Sequence, residues 1–448
     1  MGQVISKYFE DIIEKTSRID KNLANILVKE IRRQQDTLAL VASCSLIDKS
    51  ILSAESIFLD NVTAEGYPYF RYHAGCKFID EIESIAIDNA CKLFKAKYAN
   101  VQPLSASIAN QIVFSSLLEP GDTIMGLKLD SGGHLSHGSK VNISSKFYNS
   151  ISYGIKSDGH IDFDQLKYLV EEHSPKLIVA GTTAYPRTLD FEKFRKIADL
   201  CGAYLLADIT HIAGLVAAGE HPSPIDIAHV TTLCTHKQLY GPRGGLILSG
   251  IEYQKNVKDN QTLSQRLNRG VFPLFQGAPA LNKILAKALI FKSSRESNFI
   301  EKIKRVKKLA FISSEYFKKN NIKVLFNGTD NHIVIIDVLS SFGVTGIVAQ
   351  KALEECGIIV NKNIIPNDSK LVTVGSGIRL GTNNLAARGI TSEAMHKICD
   401  LIIRILNNIE LIDDYNYKFK DIYNCISFKD EIVEIARSFP LPGYYEEE

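Results

Sequence analysis

No apolar run in the 448-residue chain is long enough to cross a bilayer, and the start MGQVISKYFEDII lacks the apolar core of a secretory leader. The eight cysteines, at positions 44, 76, 91, 201, 234, 356, 399 and 425, include no Cys-x-x-Cys pair. Sparse and unpaired in spacing, they argue against a disulfide framework and a structural zinc site, and they suit a reducing cytoplasm. Charge of one sign is missing too. The 52 Lys and Arg stand against 50 Asp and Glu, and no basic block is dense enough to follow a phosphate backbone. Neither nucleic acid nor membrane is therefore an expected partner. The densest basic stretch, Lys302 to Lys308, has its charges at helical spacing and reads as a solvated helix face. There is no internal repeat and no low-complexity linker. The first residues fit Met-Gly-x-x-x-Ser, the N-myristoylation pattern, but they read as an ordinary start before an amphipathic helix.

What is present is a globular composition, 45% apolar, at a length that implies two or three domains. Residues 5–35 hold Ile12, Ile13, Leu23, Ile26 and Leu27 at three-to-four spacing, which predicts a helix. Segment 36–80 is rich in Gly, Pro and aromatics and reads as loop. From about 80 to 250, helix and strand alternate: helix 80–97, strand 176–182, helix 191–202, strand 203–209, strand 245–250. Short, near-continuous apolar strands between helices predict a mainly parallel sheet covered on both faces. After about 290, helices 298–319, 345–356 and 392–411 flank strands 323–326 and 332–339, the pattern of a smaller α+β domain. The expected division is 1–65 as an N-terminal arm with helices, 66–290 as the large domain and 291–448 as the small one. The acidic tail SFPLPGYYEEE reads as frayed.

Five places carry residues whose types suit chemistry. In TTLCTHKQLYGPRGG, Lys237 stands between two apolar strands just before a Gly/Pro turn. Burial there would disfavour the ammonium and free the amine to condense with an aldehyde; a loop lysine facing water is the plain alternative. In LLADITHIAG, Asp208 falls at the carboxyl end of a strand, where open α/β sheets bind ligands. A carboxylate there can keep a pyridinium nitrogen protonated, or simply cap a helix. His211 either touches the same ligand or fills the core. In GGHLSHG, His134 can stack on an aromatic ring and His137 can act as a helix-cap hydrogen bonder. No Asp, Glu or Cys nearby completes a ligand set, so no metal is expected. In SGIRLGT, Arg379 offers a guanidinium fork for an amino-acid carboxylate, or a surface ion pair. Glu65 of AEGYP lies in an irregular loop, where charged residues often serve sites.

The order of these runs, with YANVQP, LLEPGDT, GLVAAG, GPRGGLIL, VNKN and PND, resembles the serine hydroxymethyltransferase family from about residue 37 to 412. The resemblance implies pyridoxal-phosphate fold type I, of the aspartate-aminotransferase kind. That is an α/β fold with a large, mainly parallel seven-stranded sheet domain and a small α+β C-terminal domain. It implies aldol and retro-aldol chemistry with pyridoxal 5'-phosphate, turning serine and tetrahydrofolate into glycine and 5,10-methylenetetrahydrofolate. It also implies a cytoplasmic homodimer with shared active sites. By resemblance, Lys237 carries the cofactor as an imine, Asp208 pairs with its ring nitrogen, His134 stacks on its ring, and His211, His236 and Thr183 complete its contacts. Ser105, Ala106 and Ser107 would cup the phosphate, and Gly277 would reach the phosphate of the partner subunit. Arg379 would take the substrate carboxylate, helped by Ser43. Glu65 would manage the proton during one-carbon transfer, and Tyr72, Leu129, Gly133, Leu135 and Asn363 would line the folate pocket.

The chain departs from the family pattern at Cys44-Ser45, Thr63, His73, Leu233-Cys234, Leu274-Phe275 and Thr382-Asn383. His73, where the family has tyrosine, counts among the catalytic candidates because an imidazole titrates near neutrality and a phenol does not. Two other readings stay open. One is a folate-independent aldolase or transaldolase that joins a glycyl unit to another aldehyde. The other is a non-catalytic dimer that keeps the fold as a binding module, against which the retention of Lys237, Asp208 and Arg379 argues.

Overall fold

The computed structural model describes residues 3–447, in two compact units: Ser50–Lys304, and 3–49 with 305–447. This grouping sets the N-terminal segment with the C-terminal unit, where the sequence division drew a separate arm to 65 and a boundary at 290. Met1 and Gly2 of the myristoylation pattern lie outside the described residues. No helix among the described residues is long and apolar enough to cross a membrane.

The larger unit is built on seven strands: β1 (Tyr98–Asn100), β2 (Thr123–Leu127), β3 (Asn149–Tyr153), β4 (Leu177–Gly181), β5 (Tyr204–Asp208), β6 (Val230–Cys234) and β7 (Gly245–Ser249). They lie in the order β1-β7-β6-β5-β4-β2-β3. Strands β3, β2, β4, β5 and β6 pair in parallel, and β7 runs antiparallel to both of its neighbours. Every residue of β4, β6 and β7 is buried, as the apolar runs predict for strands covered on both faces. Three helices matter for the site: α1 (Lys77–Phe94), α2 (Ala106–Leu117) and α3 (Phe191–Cys201). Helix α2 starts because Ser105 Oγ accepts the Ile108 N–H at 3.1 Å. Helix α3 is capped by Asp190, which accepts from Lys193 N at 3.0 Å, and ends at Gly202, whose φ of 68° a side-chain-bearing residue would resist.

The smaller unit holds an antiparallel sheet of β8 (Ile333–Asp337), β9 (Asn361–Asn363) and β10 (Gly377–Gly381), with β10 in the middle. Its core takes Val306, Leu309, Ala310 and Phe317 from helix Ser297–Lys319, together with Leu38 and Leu40 from the N-terminal segment.

Four expectations need correction. The N-terminal helix is two helices, Lys7–Ile19 and Lys21–Asp36. Asp20 breaks it: its N–H closes the first helix on Thr16 O, and its carboxylate caps the second through Asn22 N and Leu23 N. The apolar spacing runs on across this break and hides it. Residues 323–326 form no ladder; Val324 makes one bridge to Ile336, and the chain then turns through Phe326 and Asn327, both at positive φ. The helix expected over 392–411 ends at Asn407, because Ile409–Leu411 pairs with Tyr417–Phe419. The tail is not frayed through its described part: Tyr445–Glu447 pairs with Gln3–Ile5, and the rings of Phe9 and Tyr444 stack 4.6 Å apart.

Candidate functional site

A cavity of about 200 Å³ opens at the carboxyl edge of the large sheet. Thr182 and Thr183 enter it from the end of β4, Asp208 and His211 from the end of β5, and His236 and Lys237 from the end of β6. Ser105, Ala106 and Ser107 line it from the first turn of α2, and His134 from the loop after β2. Parallel strands deliver these side chains together because each chain segment turns at the same edge before the next helix. Exposed N–H groups at a helix start make α2 a natural seat for an anion.

Asp208 is buried and fully engaged. Its Oδ2 accepts from Asn110 Nδ2 at 2.8 Å and lies 2.9 Å from His137 Nε2; its Oδ1 accepts from Thr210 N at 3.0 Å. Burial alone would raise its pKa, but hydrogen bonding and charge from His137, with bonds from Thr210 and Asn110, hold the carboxyl well below the usual carboxylate range. The site therefore keeps a negative charge in a dry place. Asn110 belongs to the same network: its amide also donates to Ser136 Oγ at 3.0 Å, and its oxygen accepts from Thr232 Oγ1 at 2.6 Å.

The two histidines of GGHLSHG exchange one expected part. His137, expected to cap, makes the Asp208 contact, whereas His134 Nδ1 accepts from Ser136 N at 3.1 Å and caps the short turn Leu135–His137. Position decides it: Gly126 and Gly181 leave no room for a Cβ beside His137, so its ring packs down onto the sheet edge.

Lys237 Nζ lies 3.0 Å from His211 Nε2. The turn that carries it is tied down by Thr235, whose Oγ1 donates to Pro242 O and whose carbonyl accepts from Gly241 N at 2.8 Å. Burial, with the nearby Arg243 and Lys237 charges, pushes His236 down to about 4, so its ring is neutral at pH 7. Burial also pushes another lysine of this unit, Lys287, down to about 7. Its Nζ donates to the carbonyls of Val101, Pro103 and Gly245, and it does not line the cavity.

Other candidates gather elsewhere in the same unit. Glu65 Oε1 lies 3.2 Å from where a Cβ on Gly277 would stand, and the Tyr72 ring meets Phe272 edge-on at 5.4 Å. Tyr72, His73 and Gly277 are exposed, as are Thr63, Leu274 and Phe275. None of these residues lines the cavity. Leu129 and Leu135 sit on short turns either side of Gly133, and a Cβ on Gly133 would strike the Leu127 carbonyl. Backbone packing alone thus requires glycine there.

Ser43, Asn363 and Arg379 belong to the other unit. Arg379 is buried on β10, paired with Asn361 on β9, whose Oδ1 accepts from Arg379 Nε at 3.1 Å. Burial pulls its pKa down to about 10, which leaves it cationic at pH 7. Ser43 follows Ala42, which is pressed against Gly381 and whose carbonyl accepts from Asn383 Nδ2 at 3.0 Å. The serine segment and the arginine strand are therefore neighbours. Sequence reasoning missed Asn110, although two polar residues, Asn110 and Gln111, inside the otherwise apolar stretch Ala109–Phe114 were a signal.

The family model described as serine hydroxymethyltransferase matches residues 16–402. A protein of Borreliella afzelii named serine hydroxymethyltransferase is 44% identical over 427 residues, 94% of this chain and 100% of that protein. One of the same name from Borrelia duttonii is 42% identical over 428 residues, 95% and 100% of the two chains. A third, from Lactobacillus gasseri, is 45% identical over 390 residues, 87% of this chain and 92% of the relative.

Proposed function

The chain belongs to the serine hydroxymethyltransferase family, and from that premise we propose that it moves the hydroxymethyl carbon of serine to tetrahydrofolate, leaving glycine. Its fold is the type I fold of pyridoxal-phosphate enzymes, with the seven-stranded sheet described above. The cofactor is pyridoxal 5'-phosphate, and the residues fit it. Thr210 Oγ1 is a buried hydroxyl in the cavity wall with no hydrogen-bond partner, and the start of α2 is open to an anion. When bound, the cofactor supplies an aldehyde for the substrate's amino group and an electron-drawing ring for its α-carbon.

The chain supplies the rest. Lys237 Nζ, beside His211, would be the amine that holds the cofactor's aldehyde. Asp208 would set its negative charge against the ring nitrogen and keep that nitrogen protonated. His134 would stack on the ring, with Thr183 and the neutral His236 completing its contacts, and Ser105, Ala106 and Ser107 would hold the phosphate. Arg379, with Ser43, binds the α-carboxylate as a charged fork. Glu65 moves the proton at the substrate's hydroxyl oxygen, while Tyr72, Leu129, Gly133, Leu135 and Asn363 receive the folate. Gly277 would reach the phosphate held by a second copy, so that the working form would be a homodimer; its place would be the cytoplasm. The exposed Phe70, Tyr72 and Leu274 are 81%, 77% and 61% accessible, a surface suited to cover by that copy.

One observation carries this reading: Lys237, Asp208 and the start of α2 converge on one cavity at the carboxyl edge of the sheet. The test is a product screen with serine, threonine and glycine, each with and without tetrahydrofolate. Glycine forming from serine only when tetrahydrofolate is present is the expected result. Glycine released at the same rate without folate, with a free aldehyde as the second product, would overturn it in favour of a folate-independent aldolase.

A further inference from the structure

We propose that Arg71 is a positioning residue for Glu65, acting through the backbone on both sides of it; this rests on the proton-moving role proposed for Glu65. Arg71 Nη1 donates to the carbonyl oxygens of Ala64 at 3.0 Å and Gly66 at 2.9 Å. The carbonyl between them, that of Glu65 itself, accepts from Tyr72 N at 3.0 Å. Three consecutive carbonyls are thus held, and the glutamate side chain projects from a backbone with little freedom left. Gly66 adds to this, at φ 96° and with no room for a Cβ against the Phe70 carbonyl.

The guanidinium is anchored from behind. Its Nε donates to Asp80 Oδ1 at 2.8 Å and its Nη2 to Glu83 Oε2 at 2.5 Å, both on α1. The three side chains are 3%, 10% and 1% exposed. Glu83 passes the constraint on: its Oε1 accepts from Gln102 Nε2 at 2.7 Å, and that nitrogen also donates to Gly66 O at 2.9 Å. Gln102 O in turn accepts from Gln276 Nε2 at 3.0 Å, next to Gly277. One buried ionic cluster therefore fixes the Glu65 loop, the loop that leads to the phosphate turn, and the segment before Gly277.

Stability alone explains such a cluster poorly, because taking three charges out of water costs roughly what their attraction returns. A planar fork with donors in several directions suits simultaneous contact with two carbonyls and two carboxylates; a lysine has the charge but not the reach.

The experiment is a double-mutant cycle on the full-length enzyme loaded with pyridoxal phosphate, using E65Q, R71K, R71M and the E65Q/R71K pair. The readouts are kcat and KM with serine and tetrahydrofolate, and cofactor content by absorbance. If Arg71 positions Glu65, R71K lowers kcat by about tenfold or more while KM for serine and cofactor content stay within about twofold. E65Q/R71K is then no slower than E65Q alone, within about threefold, because residues that act as a unit are not additive. Should R71M fail to fold, R71K still carries the test, since it keeps the buried charge. Additive losses in the pair, or loss of cofactor in step with kcat, would overturn the proposal and leave Arg71 as structure only. Full activity in E65Q would instead sink the role of Glu65, an outcome readable without any Arg71 variant.

Discussion

Asp208 and His137, 71 positions apart in the chain, meet at 2.9 Å between Oδ2 and Nε2 at the carboxyl edge of the large sheet. The pair links the loop after β2 to the end of β5 and holds the carboxyl in its ionised form. On the proposed reading, His137→Ala leaves pyridoxal phosphate bound but slows exchange of the glycine α-proton. Loss of a charge-assisted bond is worth about 1.5–3 kcal/mol, or roughly ten- to a hundredfold. Asp208→Asn slows it further, because an amide cannot hold the ring nitrogen's proton. Proton exchange followed by NMR checks both; normal exchange in Asp208→Asn would reduce the carboxylate to a turn-capping group.

Arg379→Ala should keep the cofactor and weaken glycine binding by about tenfold or more, from loss of a bidentate charged contact. Arg379→Lys should fall between, since a point charge replaces the fork. Titration of the loaded enzyme with glycine, read from the cofactor's absorbance, gives the affinity. An unchanged affinity in Arg379→Ala would remove this residue from the carboxylate site.

His229 should make the protein acid-sensitive. Its Nδ1 accepts from Leu205 N at 2.9 Å, and burial pushes its pKa from 6.5 down to about 4. An unfolded chain takes up this proton below about pH 6.5, whereas the folded protein refuses it until about pH 4. The stabilising contribution is full above the first value and is lost as pH falls toward the second, by about 3 kcal/mol at most. His229→Asn should flatten urea midpoints across that window; a slope equal to the parent's would show that other groups set the acid limb.

The large sheet and the cavity were readable because their signals are local. An apolar strand ending in Asp208 and another ending before Lys237 each announce themselves within ten residues. The partners of these groups are not local. Asn110 is 98 positions from Asp208 and Thr232 is 122 from Asn110, so the network had no period or spacing to betray it. The same holds for the tail, whose pairing with Gln3–Ile5 depends on the two ends meeting in space. His134 and His137 lie on one short turn, and only the packing under Gly126 and Gly181 decides which of them faces the carboxylate.

His73 marks a departure from the family pattern on the exposed surface near Glu65. Its ring offers a second nitrogen for hydrogen bonding where a phenol has a single hydroxyl. His73→Tyr should raise serine turnover with tetrahydrofolate relative to folate-free cleavage. If the substrate ranking does not move, His73 merely fills the space of the family's tyrosine.

Lys237 is the lysine proposed to hold the cofactor. Borohydride reduction of the pyridoxal-phosphate-loaded enzyme, followed by digestion and peptide mapping, locates the pyridoxyl tag directly. The expected tag lies in the peptide THKQLYGPR, at Lys237, and is missing from the Lys237→Ala variant. A tag at Lys287, the buried lysine with a pKa near 7, or at any other lysine, would contradict that assignment.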